Sequence, residues 1–212
     1  MHRSDKLIAV LLGILKAGCS YIPLDPKYPE NRISYIVRHC CADTVITDTD
    51  CRCLNDAVRR IPIEDILCSE DAADRSHGKI NRADLNDVSY TIYTSGTTGN
   101  PKGVSVRHRE LSNFIHAMDT VSHFTRADHV LCVTTICFDI FVLECFCTLC
   151  SGACMILADE TECADVNRLA DLICKNDVSI IQFTPSRMQV ILLSEDGQNA
   201  MKQLRTVFLG GE

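Results

Sequence analysis

The segment Ser89–Gly103 holds the densest set of groups in the chain that could bind a phosphate. Its centre, Thr94 to Lys102, has the sequence TSGTTGNPK. Glycines let backbone N–H groups approach an anion closely, hydroxyl groups add donors, and the lysine adds a full positive charge. The candidate polyphosphate ligands are Thr94, Ser95, Gly96, Thr97, Thr98, Gly99 and Lys102. The spacing differs from that of a Walker loop, and a polar hairpin turn is the alternative interpretation.

The loop should lie between two strands of an α/β fold. Hydrophobic patterning predicts strands at 44–47, 89–94, 104–107, 129–134, 153–158, 178–183 and 205–209, and helices at 5–17, 30–40, 109–121, 139–150, 164–176 and 185–193. Several strands are apolar throughout, as is typical of strands covered on both faces. Alternating strands and helices predict largely parallel sheets flanked by helices. Three prolines between Tyr21 and Pro29 predict a rigid connector.

Asp139 is the second candidate site residue. It lies in an apolar run, where a carboxylate is costly to bury unless it is paired. It also directly precedes a predicted helix, where it could serve as an exposed N-cap. The residues alone leave both interpretations open.

Four segments, in this order, resemble motifs of the adenylation domains of nonribosomal peptide synthetases, which are adenylate-forming enzymes. LLGILKAGCSYIPLDPKYPENRI is similar to LKAGGAYVPLDPxYPxxRI of that family, and YTSGTTGNPKG to its phosphate-loop signature. FDIFVLECFCTLCSGACMIL is similar to FDxSVWExFxxLLxGAxLVI, and LRTVFLGGE to the strand and turn that follow. The resemblance covers essentially the whole chain, and four ordered motifs are far more specific than one.

The resemblance implies a fold and an activity. Residues 1–212 would be a partial N-terminal core of an adenylate-forming enzyme, truncated at both ends, without the small C-terminal lobe. Such enzymes join an amino-acid carboxylate to the α-phosphate of ATP, release pyrophosphate, and load the aminoacyl group onto the phosphopantetheine thiol of a carrier protein. The implied partners are the amino acid and the carrier and condensation domains of a synthetase. ATP and Mg²⁺ are the implied cofactors, with the Mg²⁺ ligands outside this segment.

Site residues carry over position by position. The Thr94–Lys102 loop would hold the β- and γ-phosphates, and Asp139 would pair with the substrate's α-ammonium group. The side-chain pocket would include Phe138, Ile140, Leu143, Gln182, Phe208 and Gly210. Leu143, Gln182 and Phe208 are all sizeable, which predicts a shallow pocket and a small substrate, glycine first and alanine second. Cys19 and Phe141 replace the family's usual glycine and serine, which bears on specificity.

Several parts of the family pattern do not occur in these residues. The missing parts are the adenine and magnesium motif, the ribose motif, the hinge and the catalytic lysine, so no catalytic residue is expected here. Val207–Glu212 predicts a strand that runs into a turn, which suggests a fragment. On this interpretation the chain alone should be inactive.

Charge and apolar patterning limit which partners and which cellular compartment the protein can have. The net charge is −7 and no basic block occurs, which argues against nucleic acid or an anionic membrane as a partner. The apolar run 130–158 is interrupted by Asp139 and Glu144, which argues against a membrane span. The opening apolar stretch carries Lys6 and Lys16 and differs from a signal peptide, so we expect a cytoplasmic protein.

The chain has 14 cysteines, which we interpret as reduced thiols. Cys147, Cys150 and Cys154 follow i, i+3, i+7 spacing, which predicts one buried helix face. Neither zinc-ribbon spacing nor paired histidines accompany them, so no metal site is predicted.

Two other functions remain open. One is an acyl-CoA synthetase-like carboxylate ligase, whose acid would have no ammonium group to pair with Asp139. The other is a non-catalytic nucleotide-binding relic, against which the intact phosphate loop argues.

Overall fold

The chain divides into two units, Met1–Glu110 and Leu111–Glu212. The computed structural model describes residues 1–49, 54–68, 83–95 and 100–211. Part of the polar stretch 68–84 lies outside these residues. Within the described ranges, no helix is long and apolar enough to cross a membrane.

Two helices open the first unit. Helix α1 (Asp5–Lys16) begins where the Ser4 hydroxyl accepts a hydrogen bond from the Leu7 N–H at 3.3 Å. Its end is followed by Gly18, whose φ of 76° stops the helix. Helix α2 (Glu30–His39) follows Pro29, and the connector between the two helices forms no helix, as predicted.

The first unit also contains two small sheets. Strand β1 (Thr44–Thr47) pairs in parallel with β2 (Arg59–Pro62), which runs into the short helix α3 (Ile63–Leu67). Strand β3 (Val88–Thr94) pairs antiparallel with β4 (Lys102–Arg107). Strand β2 and helix α3 were not predicted from the sequence. The strand carries two exposed arginines, so it offers no apolar pattern.

Helix α4 (His108–Ser122) leads into the second unit, which contains a sheet of four parallel strands. The strands lie in the order β6-β5-β7-β8 and are β5 (His129–Cys132), β6 (Cys154–Leu157), β7 (Ile180–Phe183) and β8 (Thr206–Leu209). The helical segments are α5 (Ile140–Val142), a π-helical turn (Leu143–Cys147), α6 (Thr148–Ser151), α7 (Glu160–Ala164), α8 (Val166–Lys175), α9 (Pro185–Leu192) and α10 (Glu195–Met201). This arrangement confirms the α/β class with largely parallel sheets.

The parallel sheet is buried on both faces. Val130 and Ile180 pack into a cluster with Phe124. Leu131 and Ile181, the next residue on each strand, pack into a second cluster that contains side chains of α8. Because successive side chains of a strand point to opposite faces, both sets must be apolar. This explains the continuous apolar runs in the sequence.

The predicted cysteine stripe is wrong. Cys147 is buried, whereas Cys150 and Cys154 are exposed. The π-helical turn changes the helical period, and Gly152, at a φ of 75°, ends the helix so that Cys154 begins strand β6. Burial raises the pKa of the Cys147 thiol to about 12, as expected of a packing residue.

Asp128 joins the amino ends of three parallel strands. Its carboxylate is buried and accepts hydrogen bonds from Arg205 Nε at 3.0 Å and Arg205 Nη2 at 2.9 Å. Ser179 Oγ, at 2.8 Å, and the N–H and hydroxyl of Thr125, each at 2.8 Å, complete its partners. Burial alone would raise the pKa of Asp128, but these donors outweigh it and lower the pKa to about 2. The ionised carboxylate therefore stabilises the fold.

Asp128 should make the protein sensitive to acid. Because its pKa is about 2 when folded and near the ordinary 3.8 when unfolded, it contributes about 2 kcal/mol of stability at neutral pH. That contribution is complete above about pH 4 and is lost as the pH falls toward 2. We expect Asp128→Asn to lower the free energy of unfolding at pH 7 by about this amount and to flatten its pH dependence below pH 4, measured by urea denaturation.

Asp171→Asn, in an exposed i,i+4 pair with Lys175, is the matched control and should change stability by less than about 0.5 kcal/mol. Parallel acid profiles of Asp128→Asn and the wild type would contradict the assignment.

Candidate active site

Strands β3 and β4 hold the two ends of the predicted phosphate loop opposite each other. Thr94 is paired with Lys102 at the last position of the antiparallel register, and both side chains are exposed. Ser95 is also exposed. The other predicted ligands, Gly96, Thr97, Thr98 and Gly99, lie outside the described residues. The hairpin and the phosphate-loop interpretations are therefore compatible, since the loop joins two paired strands.

The base of this loop is packed closely. A Cβ on Gly103 would lie 3.0 Å from Thr91 Cγ2 and 3.1 Å from Tyr93 Cζ, so only glycine fits without a shift. The Tyr93 hydroxyl lies 2.8 Å from His39 Nδ1, on α2. Burial raises the pKa of Tyr93, which keeps the phenol neutral. Helix α2 therefore fixes the ring that covers Gly103, one residue after Lys102.

Asp139 lies in the second unit at the N-cap position of α5, and its side chain is exposed. It makes no capping hydrogen bond, and no donor to its carboxylate is found in the part of the chain that the structure describes. The segment that carries it follows the carboxyl end of β5, the edge of a parallel sheet where ligands usually bind. The carboxylate is thus available to a cationic group.

Gln182 and Gly210 are joined by hydrogen bonds at the carboxyl ends of β7 and β8. Gln182 is paired with Phe208 in the sheet register and is 6% exposed. Its Nε2 donates to the carbonyl oxygens of Gly210 at 3.0 Å and Phe183 at 3.2 Å. The amide donors of Gln182 therefore hold the end of β8 in place.

The remaining predicted pocket residues divide into two sets. Leu143 and Phe208 pack against one apolar cluster, in which the Phe124 and Phe208 rings meet edge to face at 6.2 Å. Ile140 contacts the turn after β8, because a Cβ on Gly211 would overlap its Cδ1 atom. Phe138, by contrast, is 58% exposed. The fold therefore gathers Ile140, Leu143, Gln182, Phe208 and Gly210 and leaves Phe138 at the surface.

Glu144 has a structural role that was not predicted from the sequence, where it was noted only as a charged residue that interrupts an apolar run. Its side chain is 1% exposed in the π-helical turn. Oε2 accepts from the N–H groups of Val133 at 2.9 Å and Thr134 at 2.8 Å, and Oε1 accepts from the Thr134 hydroxyl at 2.7 Å. Burial raises the pKa of Glu144, and these donors oppose that rise. A charged residue inside an apolar helix was the available signal.

A cavity of about 460 Å³ opens elsewhere in the second unit, between α4 and the π-helical turn. Phe124, Asp119 and Cys147 are among its lining residues, and none of the predicted site residues lines it. Within the described ranges, no group of three or more His, Cys, Asp or Glu side chains is arranged to hold a metal ion.

A family model described as AMP-binding enzyme matches residues 1–212. The chain belongs to the AMP-binding enzyme family. This match confirms the resemblance of the chain to adenylate-forming enzymes.

The relatives of this AMP-binding chain are nonribosomal peptide synthetases. It is 36% identical over 216 residues to the dimodular nonribosomal peptide synthase of Bacillus subtilis (strain 168), a match that covers 100% of this chain and 9% of that protein. It is 34% identical over 217 residues to surfactin synthase subunit 3 of the same organism, covering 99% of this chain and 16% of that protein. The chain therefore spans less than a fifth of the length of these two relatives.

Solved structures share the fold. The nonribosomal peptide synthetase FmoA3 matches with a TM-score of 0.86 at 24% identity, over 100% of this chain and 22% of that chain. The N-terminal subdomain of Klebsiella oxytoca NpsA matches with a TM-score of 0.84 at 20% identity, over 100% of this chain and 52% of that chain. These matches show that the chain has the same fold as the corresponding parts of these two proteins.

Two neighbouring glycines at the end of β8 should respond differently to substitution. Gly211 has a φ of 82°, and an added methyl group would overlap Ile140. Gly210 has nothing within 4 Å of the equivalent position. We expect Gly211→Ala to lower the free energy of unfolding by about 1–2 kcal/mol or more, measured by urea denaturation.

Gly210→Ala is the control and should change stability by less than about 0.5 kcal/mol. Adding Ile140→Val to Gly211→Ala removes the overlapping atom and should restore part of the loss, leaving the backbone strain. Equal effects of the two glycine substitutions would contradict the described packing.

Proposed function

We propose that the protein activates an amino acid as an aminoacyl-adenylate for nonribosomal peptide synthesis, with residues 1–212 forming part of its adenylation domain. Asp139 is the observation that carries the amino-acid assignment. It is an exposed carboxylate, not hydrogen-bonded within the described residues, beside Ile140 at the substrate edge of a parallel sheet. The family match and the synthetase relatives support the same chemistry.

The reaction joins the amino acid to AMP. An oxygen of the amino-acid carboxylate attacks the α-phosphorus of ATP, and the bond from that phosphorus to the bridging oxygen of the β-phosphate breaks. Pyrophosphate leaves with the electron pair of that bond. Transfers of this type are catalysed mainly by positioning and by stabilisation of charge.

The hairpin loop would hold the departing pyrophosphate. Its donors are Thr94, Ser95, Gly96, Thr97, Thr98, Gly99 and Lys102. The packed base at Tyr93 and Gly103 supports this role, because it fixes the strands from which the loop projects. Mg²⁺ would neutralise phosphate charge when bound, but the described residues contain no acidic cluster that fits it. Its ligands are expected elsewhere in the protein.

The substrate's α-ammonium group would pair with Asp139, and its side chain would face Ile140, Leu143, Gln182, Phe208 and Gly210, with Phe138 at the rim. Leu143 and Phe208 are packed against Phe124, and Gln182 is bonded to Gly210. Side chains held in this way cannot easily withdraw. This supports a shallow pocket and a small substrate, glycine first and alanine second.

The aminoacyl group would then pass to the phosphopantetheine thiol of a carrier domain, next to a condensation domain. One relative is named a dimodular nonribosomal peptide synthase, which supports these partners. We place the reaction in the cytoplasm. The buried Cys145 and Cys147 are free thiols with a pKa raised to about 12, which suits a reducing compartment.

Amino-acid-dependent exchange of pyrophosphate into ATP tests this proposal. The protein in its full natural length should exchange pyrophosphate most strongly with glycine or alanine among the amino acids. Acetate and propionate, which lack the ammonium group, should give less than about one tenth of that rate, because the ion pair with Asp139 is lost. A strong preference for aromatic or charged amino acids would contradict the shallow pocket, and a preference for the simple acids would favour a carboxylate ligase of the acyl-CoA synthetase kind.

Asp139→Asn should separate amino-acid binding from ATP binding. Loss of the charge should raise the KM for the amino acid by about 10- to 100-fold, because a hydrogen-bonded ion pair contributes about 1.5–3 kcal/mol. The KM for ATP should change by less than about twofold, because Asp139 is proposed to bind the amino acid and not ATP. Asp171→Asn, on the exposed face of α8, is the control. Equal increases in both KM values would contradict the role of Asp139.

A further inference from the structure

We propose that Glu144 is a positioning residue for Asp139: its buried carboxylate fixes the start of the segment that carries Asp139. The proposal rests on the amino-acid role proposed above for Asp139. Glu144 itself touches no reacting atom and would act through the backbone of residues 133–139.

The first observation is that the N–H groups directly after β5 donate their hydrogen bonds to Glu144. The pairing of β5 with β6 ends at Cys132 and Leu157. The next two N–H groups, of Val133 and Thr134, donate to Glu144 Oε2 at 2.9 and 2.8 Å. Glu144 thus takes over from the sheet as the hydrogen-bonding partner at the point where the chain leaves the strand.

The second observation is that these bonds close a ring of backbone around Asp139. After Thr134 the chain makes a turn, in which the N–H of Phe138 donates to the carbonyl of Thr135 at 3.1 Å. Asp139 then begins the helix, with its carbonyl accepting from the N–H of Val142 at 2.9 Å. Glu144 lies on the same helical segment. The ring therefore runs from Val133 to Glu144, with Asp139 near its middle.

The third observation is the cost of placing a carboxylate there. Glu144 is almost fully buried, and Cys145, Phe146, Cys147 and Thr148 after it are buried as well. A buried carboxylate is expensive unless its oxygens are bonded, and an apolar side chain would pack as well at such a position. An apolar side chain could not accept from two backbone N–H groups and a hydroxyl. The carboxylate thus provides geometry that packing alone could not.

Loss of Glu144 should weaken binding of the amino acid and leave binding of ATP unchanged. Without Glu144, the N–H groups of Val133 and Thr134 lose their acceptor and the Val133–Phe138 segment can adopt other conformations. A displacement of Asp139 by about 1 Å could cost about 100-fold in rate. Loss of the ring should therefore weaken amino-acid recognition selectively.

The test uses three substitutions in the protein in its full natural length, assayed by pyrophosphate exchange. Glu144→Ala removes the whole acceptor and should raise the amino-acid KM by about 10-fold or more. Glu144→Gln keeps an acceptor for the N–H groups and should restore most of the loss. Thr134→Val removes the hydroxyl bond to Oε1, keeps the backbone N–H bonds to Oε2, and should raise the amino-acid KM by about two- to fivefold. The KM for ATP should stay within about twofold in all three.

Thr148→Val is the matched control. Thr148 is fully buried next to the π-helical turn, and its hydroxyl donates to the backbone carbonyl of Glu144 at 2.7 Å, outside the ring. It should lower stability without changing the amino-acid KM. An amino-acid KM raised as much by Thr148→Val as by Thr134→Val would overturn the proposal, and so would equal increases in the KM values for amino acid and ATP.

A double-mutant comparison tests whether the ring acts through Asp139. In an Asp139→Asn background, Thr134→Val should raise the amino-acid KM by no more than about 1.5-fold, because the positioned charge is already absent. A full, independent effect in that background would overturn the proposal.

Hydrogen exchange separates this proposal from the proposed function. The N–H groups of Val133 and Thr134 should be protected in the wild type and should lose protection in Glu144→Ala. Retained protection overturns the ring even if the enzyme activates amino acids. A second outcome is that the N–H groups lose protection as expected, but the wild type shows no pyrophosphate exchange with any amino acid. That result overturns the proposed function and with it the role of the ring.

Discussion

The second unit depends on the polar groups at the two ends of strand β5. This strand lies inside the parallel sheet, with apolar clusters on both faces, so water cannot satisfy its terminal hydrogen-bonding groups. At the carboxyl end Glu144 accepts from the N–H groups of Val133 and Thr134. At the amino end the His129 N–H donates to Ser179 Oγ, and the Ser179 hydroxyl donates in turn to the buried Asp128 carboxylate. Each carboxylate accepts several hydrogen bonds, because an unpaired buried charge would cost more than the fold could offset.

The carboxylates of Asp128 and Glu144 have different structural roles. Asp128 joins Thr125, Ser179 and Arg205, which ties the starts of β5, β7 and β8 together, so its contribution is to stability. Glu144 bonds to the chain just after β5, at the edge where ligands bind in sheets of this kind. The same chemistry thus holds the sheet at one edge and shapes the segment that carries Asp139 at the other. The ordering of Asp139 follows from the second.

The sequence predicted those features whose signals are local. Apolar strands such as 130–133 and 178–181 indicated a parallel sheet covered on both faces, and helix α1 was indicated by Ser4 before an apolar repeat and Gly18 after it. A local signal was also present for α7, where Asp159 and Glu162 form a capping box, although it was overlooked. The phosphate loop was predicted because glycine, threonine and lysine are concentrated in one short segment, and its role stays a prediction.

Other features depend on contacts between distant residues and left no local pattern. A one-residue change of helical period in the π-helical turn moved Cys150 out of the expected buried face, and helical spacing cannot reveal such a change. Strand β5 ends two residues earlier than predicted, because Val133 and Thr134 donate to a side chain ten or more residues away. The contact of Ile140 with Gly211 joins residues that lie far apart in the sequence. Apolar patterning predicts most of the strands and helices, whereas these long-range hydrogen bonds and contacts are visible only in the folded structure.

The pocket residues also serve the core, and this limits how specificity can change. Phe208 meets Phe124 edge to face, and Leu143 packs against the same cluster, so each wall of the proposed pocket is also a packing contact. Replacing Phe208 with a small residue to admit a larger substrate would leave a cavity beside Phe124, at a cost of about 3–5 kcal/mol. Gln182 has the same double role through its bond to the carbonyl of Gly210. A change of substrate at this site therefore needs compensating changes behind the pocket, most directly at Phe124, where a larger side chain could fill the space that Phe208 vacates.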